Sequence, residues 1–137
     1  ICFFFENEKI AFTGDTLFSL GCGRIFEGTY EMMFKSLDII KNFPLETKIY
    51  CGHEYTLQNS KFCIKYDENN SKLKQKIDWI KNKLDMGLPT IPTTIKEELE
   101  CNIFLRSDKK SVQKNLKLEN TNSLEAFSKL RDLKDNF

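Results

Sequence analysis

The sequence predicts an α/β fold whose strands crowd into its first part and whose remainder is helical. Three observations predict it. Short apolar runs at residues 2–5, 9–12 and 48–51 are bounded by polar or glycine residues, as strands are. Between the second and third of these, apolar residues recur at helical spacing. Beyond residue 56, helical spacing is the only recurring pattern, so an α/β segment is followed by an all-helical one.

The first two runs flank Glu6-Asn7-Glu8 and read as a β-hairpin, with Lys9-Ile10-Ala11-Phe12 as a buried strand. That strand leads into Thr13-Gly14-Asp15-Thr16-Leu17-Phe18. Gly14 permits a sharp turn and leaves Asp15 at the strand's mouth, where carboxylates often serve as metal ligands or general bases. The commoner meaning of such a stretch is a turn closed by an Asx-type hydrogen bond. Gly21-Cys22-Gly23-Arg24 follows, a flexible or tightly turned loop that lacks the third glycine of a dinucleotide fingerprint. Thr29 is placed to cap a helix bearing Met32, Met33, Leu37, Ile39 and Ile40, with Pro44 beyond its end. Lys48–Cys51 is the next strand. Gly52-His53-Glu54-Tyr55 then repeats the earlier design of strand, glycine and metal-competent side chain, and His53 is the one histidine of the chain.

Thr56 is predicted to cap a helix reaching about Tyr66, and residues 67–70 form a polar break. Asn70 or Ser71 opens an amphipathic helix with Leu73, Ile77, Ile80 and Leu84 on one face, Trp79 at its edge and Gly87 past its end. Pro89 and Pro92 make residues 88–94 an extended linker. Thr94 caps a short helix over 95–101, residues 102–106 make a turn with apolar anchors, and Ser107 or Asp108 opens a helix to about Leu116. Asn122 and Glu125 have capping-box spacing ahead of Leu124, Phe127 and Leu130. The predicted division is residues 1–56 with the strands and residues 57–137 all helical.

Composition narrows the function classes. The 137 residues are 40% hydrophobic and 30% charged with net charge +1, which argues for a globular protein and against nucleic acid or an anionic membrane as partner. No run is apolar enough to span a bilayer, and no basic segment followed by an apolar one suggests a leader. The chain opens inside Ile1-Cys2-Phe3-Phe4-Phe5 without a methionine, which predicts missing upstream sequence. Five cysteines, Cys2, Cys22, Cys51, Cys63 and Cys101, without a C-x-x-C pair, point to reduced thiols in the cytoplasm. Cys51 and His53, two apart, can share a strand face and a metal, although buried cysteine more often serves as a small apolar side chain.

Gly14-Asp15-Thr16-Leu17-Phe18, Gly21-Cys22-Gly23, Glu27-Gly28-Thr29 and the run Tyr50-Cys51-Gly52-His53-Glu54-Tyr55-Thr56 together resemble the glyoxalase II family, the hydroxyacylglutathione hydrolases. So do Gly87-Leu88-Pro89-Thr90-Ile91-Pro92-Thr93-Thr94 and Arg131-x-x-Lys134-Asp135-x-Phe137, and the similarity runs from about residue 8 to residue 137. The resemblance implies the C-terminal half of a metallo-β-lactamase αββα sandwich, followed by a helical domain that closes over glutathione. It implies a thioester hydrolase that converts S-D-lactoylglutathione and water to D-lactate and glutathione. Its cofactors would be two divalent metal ions, zinc with iron or manganese as alternatives, with Asp15 bridging both and His53 binding one. Arg24, Tyr55, Arg131 and Lys134 match the family's glutathione-binding positions.

Two departures matter. The family's Thr-His-x-His-x-Asp-His motif and a further histidine before the Gly-Asp-Thr strand are absent here, and Phe26 stands where tyrosine is common. A zinc ion takes about four ligands, so one aspartate and one histidine cannot fill two metal shells. The chain alone is therefore expected to be inactive, and its exposed half-sandwich to self-associate. Two other readings fit the same residues: a persulfide dioxygenase-like enzyme with one iron, and a non-catalytic folding or interaction module.

Overall fold

The structure, a computed structural model, describes residues 1–118 and 120–137. The opening hairpin forms as expected. β1 (Phe3–Phe5) pairs antiparallel with β2 (Ile10–Gly14), Phe5 opposite Ile10. Gly14 is left-handed at φ 49°, so the chain leaves the sheet where glycine allows it. Gly21 and Cys22, read as part of a flexible or tightly turned loop, instead form the second strand of a small hairpin, β3 (Leu17–Phe18) against β4 (Gly21–Cys22), with all of residues 17–22 buried. Two-residue strands are too short for a period-2 pattern, which is why the sequence does not announce them.

α1 (Tyr30–Lys41) begins where Thr29 accepts a hydrogen bond from the Met32 amide, as predicted. Leu37 and Ile40 are buried and Met33 is partly so, whereas Met32 and Ile39 face outward. β5 (Lys48–Cys51) then lies parallel to β2, making α1 the crossover of a β-α-β unit.

α2 (Thr56–Tyr66) corrects one expectation. Tyr55 occupies the cap position, and Thr56 lies within the helix, its hydroxyl 2.6 Å from that of Thr90. α3 (Ser71–Asp85) is capped by Asn70 and buries Leu73 and Ile80, while Leu84 of the predicted stripe is exposed. The extended linker does more than connect. Its last residues form β6 (Thr93–Thr94), antiparallel to β5, so the sheet order is β1-β2-β5-β6. Thr94 and Glu97 form a complete capping box at the start of α4 (Ile95–Cys101). α5 (Lys110–Asn115) starts two or three residues later than predicted, with Lys109 at its cap. α6 (Ser123–Asp135) is capped by Asn122.

The sheet's two faces differ. Ala11, Thr13 and Ile49 point inward and are buried. Phe3, Phe5 and Phe12 point outward, and Phe12 is 47% exposed against 1% for Ala11. The strand read as buried is thus buried on one face only. One apolar cluster joins the inward sheet face to the helices, running from Ala11, Leu17 and Ile49 through Phe62 and Ile80 to Phe104, Phe127 and Leu130. It holds residues from both sides of position 56, so the α/β and helical parts share a core. Among the described residues, no helix is long and apolar enough to cross a membrane.

Candidate functional site

The carboxy ends of β2 and β5 lie side by side because the two strands are parallel neighbours. Each ends in a glycine turn, so Asp15 and His53 emerge together. His53 Nε2 lies 3.6 Å from Asp15 Oδ1, and both side chains are largely solvent-exposed. Gly52 makes this approach possible: a Cβ there would stand 2.7 Å from Asp15 Oδ1, inside van der Waals contact. The Gly52 amide donates to the Gly14 carbonyl at 2.8 Å, locking the two turns together. Tyr55 stacks on the His53 ring with centroids 4.9 Å apart, and Phe18 meets the Tyr55 ring at 5.2 Å.

Asp15, His53 and Tyr55 form one wall of a cavity of about 490 Å³. Phe18, Cys22, Gly23 and Arg24, on or just after the β3–β4 hairpin, line it as well, with Asn59, Arg131 and Lys134. The structure therefore brings all six residues singled out from the sequence, Asp15, His53, Arg24, Tyr55, Arg131 and Lys134, to a single cavity, with Phe26 at its rim and 86% exposed.

The cations differ in how free they are. Arg131 is 2% exposed, donates to the Cys22 carbonyl at 2.8 Å and the Gly23 carbonyl at 3.3 Å, and pairs with Asp135 at 2.8 Å. Its guanidinium is engaged within the protein. Arg24 is mostly exposed and pairs with Asp135 at 3.6 Å. Lys134 is half-buried, its ammonium 5.3 Å from the ring centres of Phe62 and Phe137. Burial pulls the Lys134 pKa below the ordinary lysine value.

Burial raises the Cys22 pKa to about 11, against the opposing pull of Arg131, so this thiol stays protonated in the cavity wall. Cys51 turns its thiol towards the His53 carbonyl at 3.4 Å and lies outside the residues that line the cavity.

Sequence reasoning missed Asn59 and Gln58 in the wall, since polar residues on a helix ordinarily read as solvated. It also missed Glu54. That carboxylate accepts from the Thr90 amide at 2.8 Å, the Thr90 hydroxyl at 2.7 Å and the Ile91 amide at 3.2 Å, tying the turn after His53 to the proline segment.

Asp15 and His53 suit a metal ion in donor type and convergence. Among the described residues, however, no group of three or more His, Cys, Asp or Glu is placed to hold one. A zinc ion takes about four ligands, so the pair fits as part of a metal site and only as part.

A family profile described as "Hydroxyacylglutathione hydrolase C-terminus" matches residues 54–137. A curated protein named hydroxyacylglutathione hydrolase from Pelagibacter ubique (strain HTCC1062) is 64% identical over 137 residues, which is 100% of this chain and 52% of that protein. One of the same name from Chelativorans sp. (strain BNC1) is 45% identical over 137 residues, 100% of this chain and 54% of that protein. Another, from Rhodopseudomonas palustris (strain BisB18), is 41% identical over 135 residues, 98% and 53% respectively. The chain spans about half the length of the curated relatives it matches.

Proposed function

Since the chain belongs to the hydroxyacylglutathione hydrolase family, as part of its C-terminal region, we propose that its cavity is the glutathione-binding side of a thioester hydrolase site. The reaction is hydrolysis of S-D-lactoylglutathione to D-lactate and glutathione. The observation that carries this reading is convergence. Two metal-competent side chains and the cations expected to meet a tripeptide's carboxylates open on one cavity of about 490 Å³.

Asp15 and His53 would hold metal together with donors from outside this chain. When bound, divalent ions supply Lewis-acid activation of water and of the thioester carbonyl. The chain's own residues do the rest. Tyr55, stacked on His53, fixes the imidazole plane. Lys134 and Arg24 meet the glutathione carboxylates, and the Tyr55 hydroxyl offers a further hydrogen bond. Arg131 stands behind them and contributes by holding the Cys22 and Gly23 carbonyls. Phe26 lacks the hydroxyl of a tyrosine, so one substrate hydrogen bond is not made there.

The same proposal places the outward sheet face of Phe3, Phe5 and Phe12 against the other half of a metallo-β-lactamase sandwich, built by sequence outside this chain. The exposure of these rings supports it. Without that half, the face drives self-association.

The test uses the full-length protein that carries these residues. A carboxylate contact unchanged between ground and transition states acts on KM and leaves kcat nearly intact. A charge-assisted hydrogen bond is worth about 1.5–3 kcal/mol, so Lys134→Met should raise KM roughly ten- to a hundredfold. Asp15→Asn should abolish turnover. An unchanged KM in Lys134→Met, or a kcat as low as that of Asp15→Asn, overturns the assignment of this wall to glutathione.

A further inference from the structure

The turn of the β3–β4 hairpin is made by Ser19 and Leu20, and Leu20 is left-handed at φ 60°. A branched, bulky residue in that conformation is strained and persists only where its surroundings over-determine it. Here they do. The Leu20 amide donates to Glu98 Oε2 at 2.9 Å, and the Leu20 carbonyl accepts from the Cys63 thiol at 3.1 Å. Asn59 donates to the Ser19 carbonyl at 3.0 Å, and Asn102 donates to the Gly21 carbonyl at 3.1 Å.

Glu98 is the hub of this arrangement. It is fully buried, and besides the Leu20 amide it accepts from Asn102 Nδ2 at 2.8 Å and from the Thr93 hydroxyl at 2.8 Å. Its two oxygens thus join the hairpin, β6 and the residue that ends α4. A carboxylate in the core is costly to keep, and apolar packing would serve stability as well or better. What it supplies that an apolar residue cannot is an acceptor aimed at one amide of a strained turn. From that turn, Phe18 on one side and Cys22, Gly23 and Arg24 on the other reach the cavity.

We infer that Glu98 is a positioning residue for the glutathione cavity: by accepting the Leu20 amide it fixes the β3–β4 turn, and with it the places of Phe18, Cys22 and Gly23 in the wall. This rests on the proposed function for its binding consequence, and on geometry alone for its structural one.

Two readouts separate these. Amide hydrogen exchange at Leu20 reports the turn directly. Calorimetric binding of glutathione, with KM and kcat for the thioester, reports the cavity in the full-length protein. Glu98→Ala removes the acceptor, and Glu98→Asp keeps the charge while withdrawing it by one methylene; Asp is the variant used if Ala fails to fold. Glu98→Gln retains a carbonyl oxygen for Leu20. The Ala and Asp variants should lose Leu20 protection by about tenfold or more, weaken glutathione binding and raise KM by about tenfold, and change kcat much less, as displacement of a binding wall requires. Gln should restore both readouts to within about twofold of the parent. A merely structural role would lower melting temperature in all three variants without moving KM.

Leu20 protection retained in both Ala and Asp overturns the inference, as does KM unchanged while the hairpin amides are released. If the parent protein neither binds glutathione nor hydrolyses the thioester, the proposed function fails. The exchange result then decides the positioning role by itself, protected Leu20 in Ala and Asp overturning it and selective release supporting it.

Discussion

The two walls of the cavity are built on opposite principles. The backbone of the wall formed by the β3–β4 hairpin is held from within the chain: Ser19, Leu20, Gly21, Cys22 and Gly23 each have a backbone group bonded to a side chain of a helix or its end, while Ser19 Oγ and Arg131 Nε are buried without a partner among the described residues. The wall of Asp15 and His53 is unfinished. Its donors are exposed, and the sheet that carries them shows a row of aromatic rings on its outer face. The contrast teaches that one wall is fixed by long-range bonds within the chain, whereas the other presents exposed side chains; under the proposed function the first would grip the ligand and the second would supply part of the metal site.

The comparison can be broken from its strongest side first. Phe127 is fully buried and meets the rings of Phe34 and Phe104. Phe127→Ala should cost about 3–5 kcal/mol in urea unfolding, because a large cavity opens in the core shared by the sheet and the helices. A cost no greater than that of an ordinary surface change would show that Phe127 does not anchor that core.

Arg131→Met comes next. It strips two buried carbonyls of their partner and leaves Asp135 with Arg24 alone, for a loss of about 2–4 kcal/mol as unsatisfied groups remain behind. The exposed Arg24→Met should change stability by less than about 0.5 kcal/mol. Equal losses in the two variants would erase the distinction between engaged and free cations.

A smaller effect depends on pH. Burial raises the Glu98 carboxyl from its ordinary 4.5 to about 7, against hydrogen bonds from Thr93, Asn102 and the Leu20 amide and the charge of Lys76. Between those values the folded protein holds a proton that the unfolded chain has released. The contribution is therefore fully present below 4.5 and is lost as pH rises through about 7. Glu98→Gln should remove this slope, so that its stability relative to the parent improves from pH 5 to pH 8. Melts at the two pH values check it, and a parallel slope in both proteins would contradict the assignment.

The least change in folding stability is expected on the other side. Phe3→Ser, at the more exposed edge of the outward sheet face, should alter stability by no more than about 0.5 kcal/mol, yet it should reduce self-association of this chain in sedimentation. If the parent chain is a dispersed monomer at micromolar concentration, the outward face does not act as an association surface.

Much of this was legible in the sequence because it rests on local rules. Thr29, Asn70, Thr94 and Asn122 cap helices where their side chains and positions say they should. Asp15 and His53 were legible as a pair because each follows a strand and a glycine. What was not legible is long-range. Glu98 reads as an ordinary helix residue until the fold sets Leu20 against it, 78 positions away. β6 is two residues among prolines, too short to carry a pattern, and becomes a strand only because β5 offers an edge. The bonds of Arg131 to the Cys22 and Gly23 carbonyls were not legible either, because charge is visible in a sequence and its partners are not.

The bonds that hold the hairpin also order events in time. The side chains that grip residues 19–23 lie 40 to 109 positions further along, so before they arrive the hairpin has only its own short ladder and the bond from the Gly23 amide to the Thr16 carbonyl to close it. Loop-closure entropy must be overcome first. During synthesis, residues 17–23 emerge before these partners, and their last clamp, Arg131, is delivered by α6. Loss of the final turns of α6 would therefore be felt as a loosened wall more than a hundred residues upstream, a lesion whose cause and site are far apart along the chain.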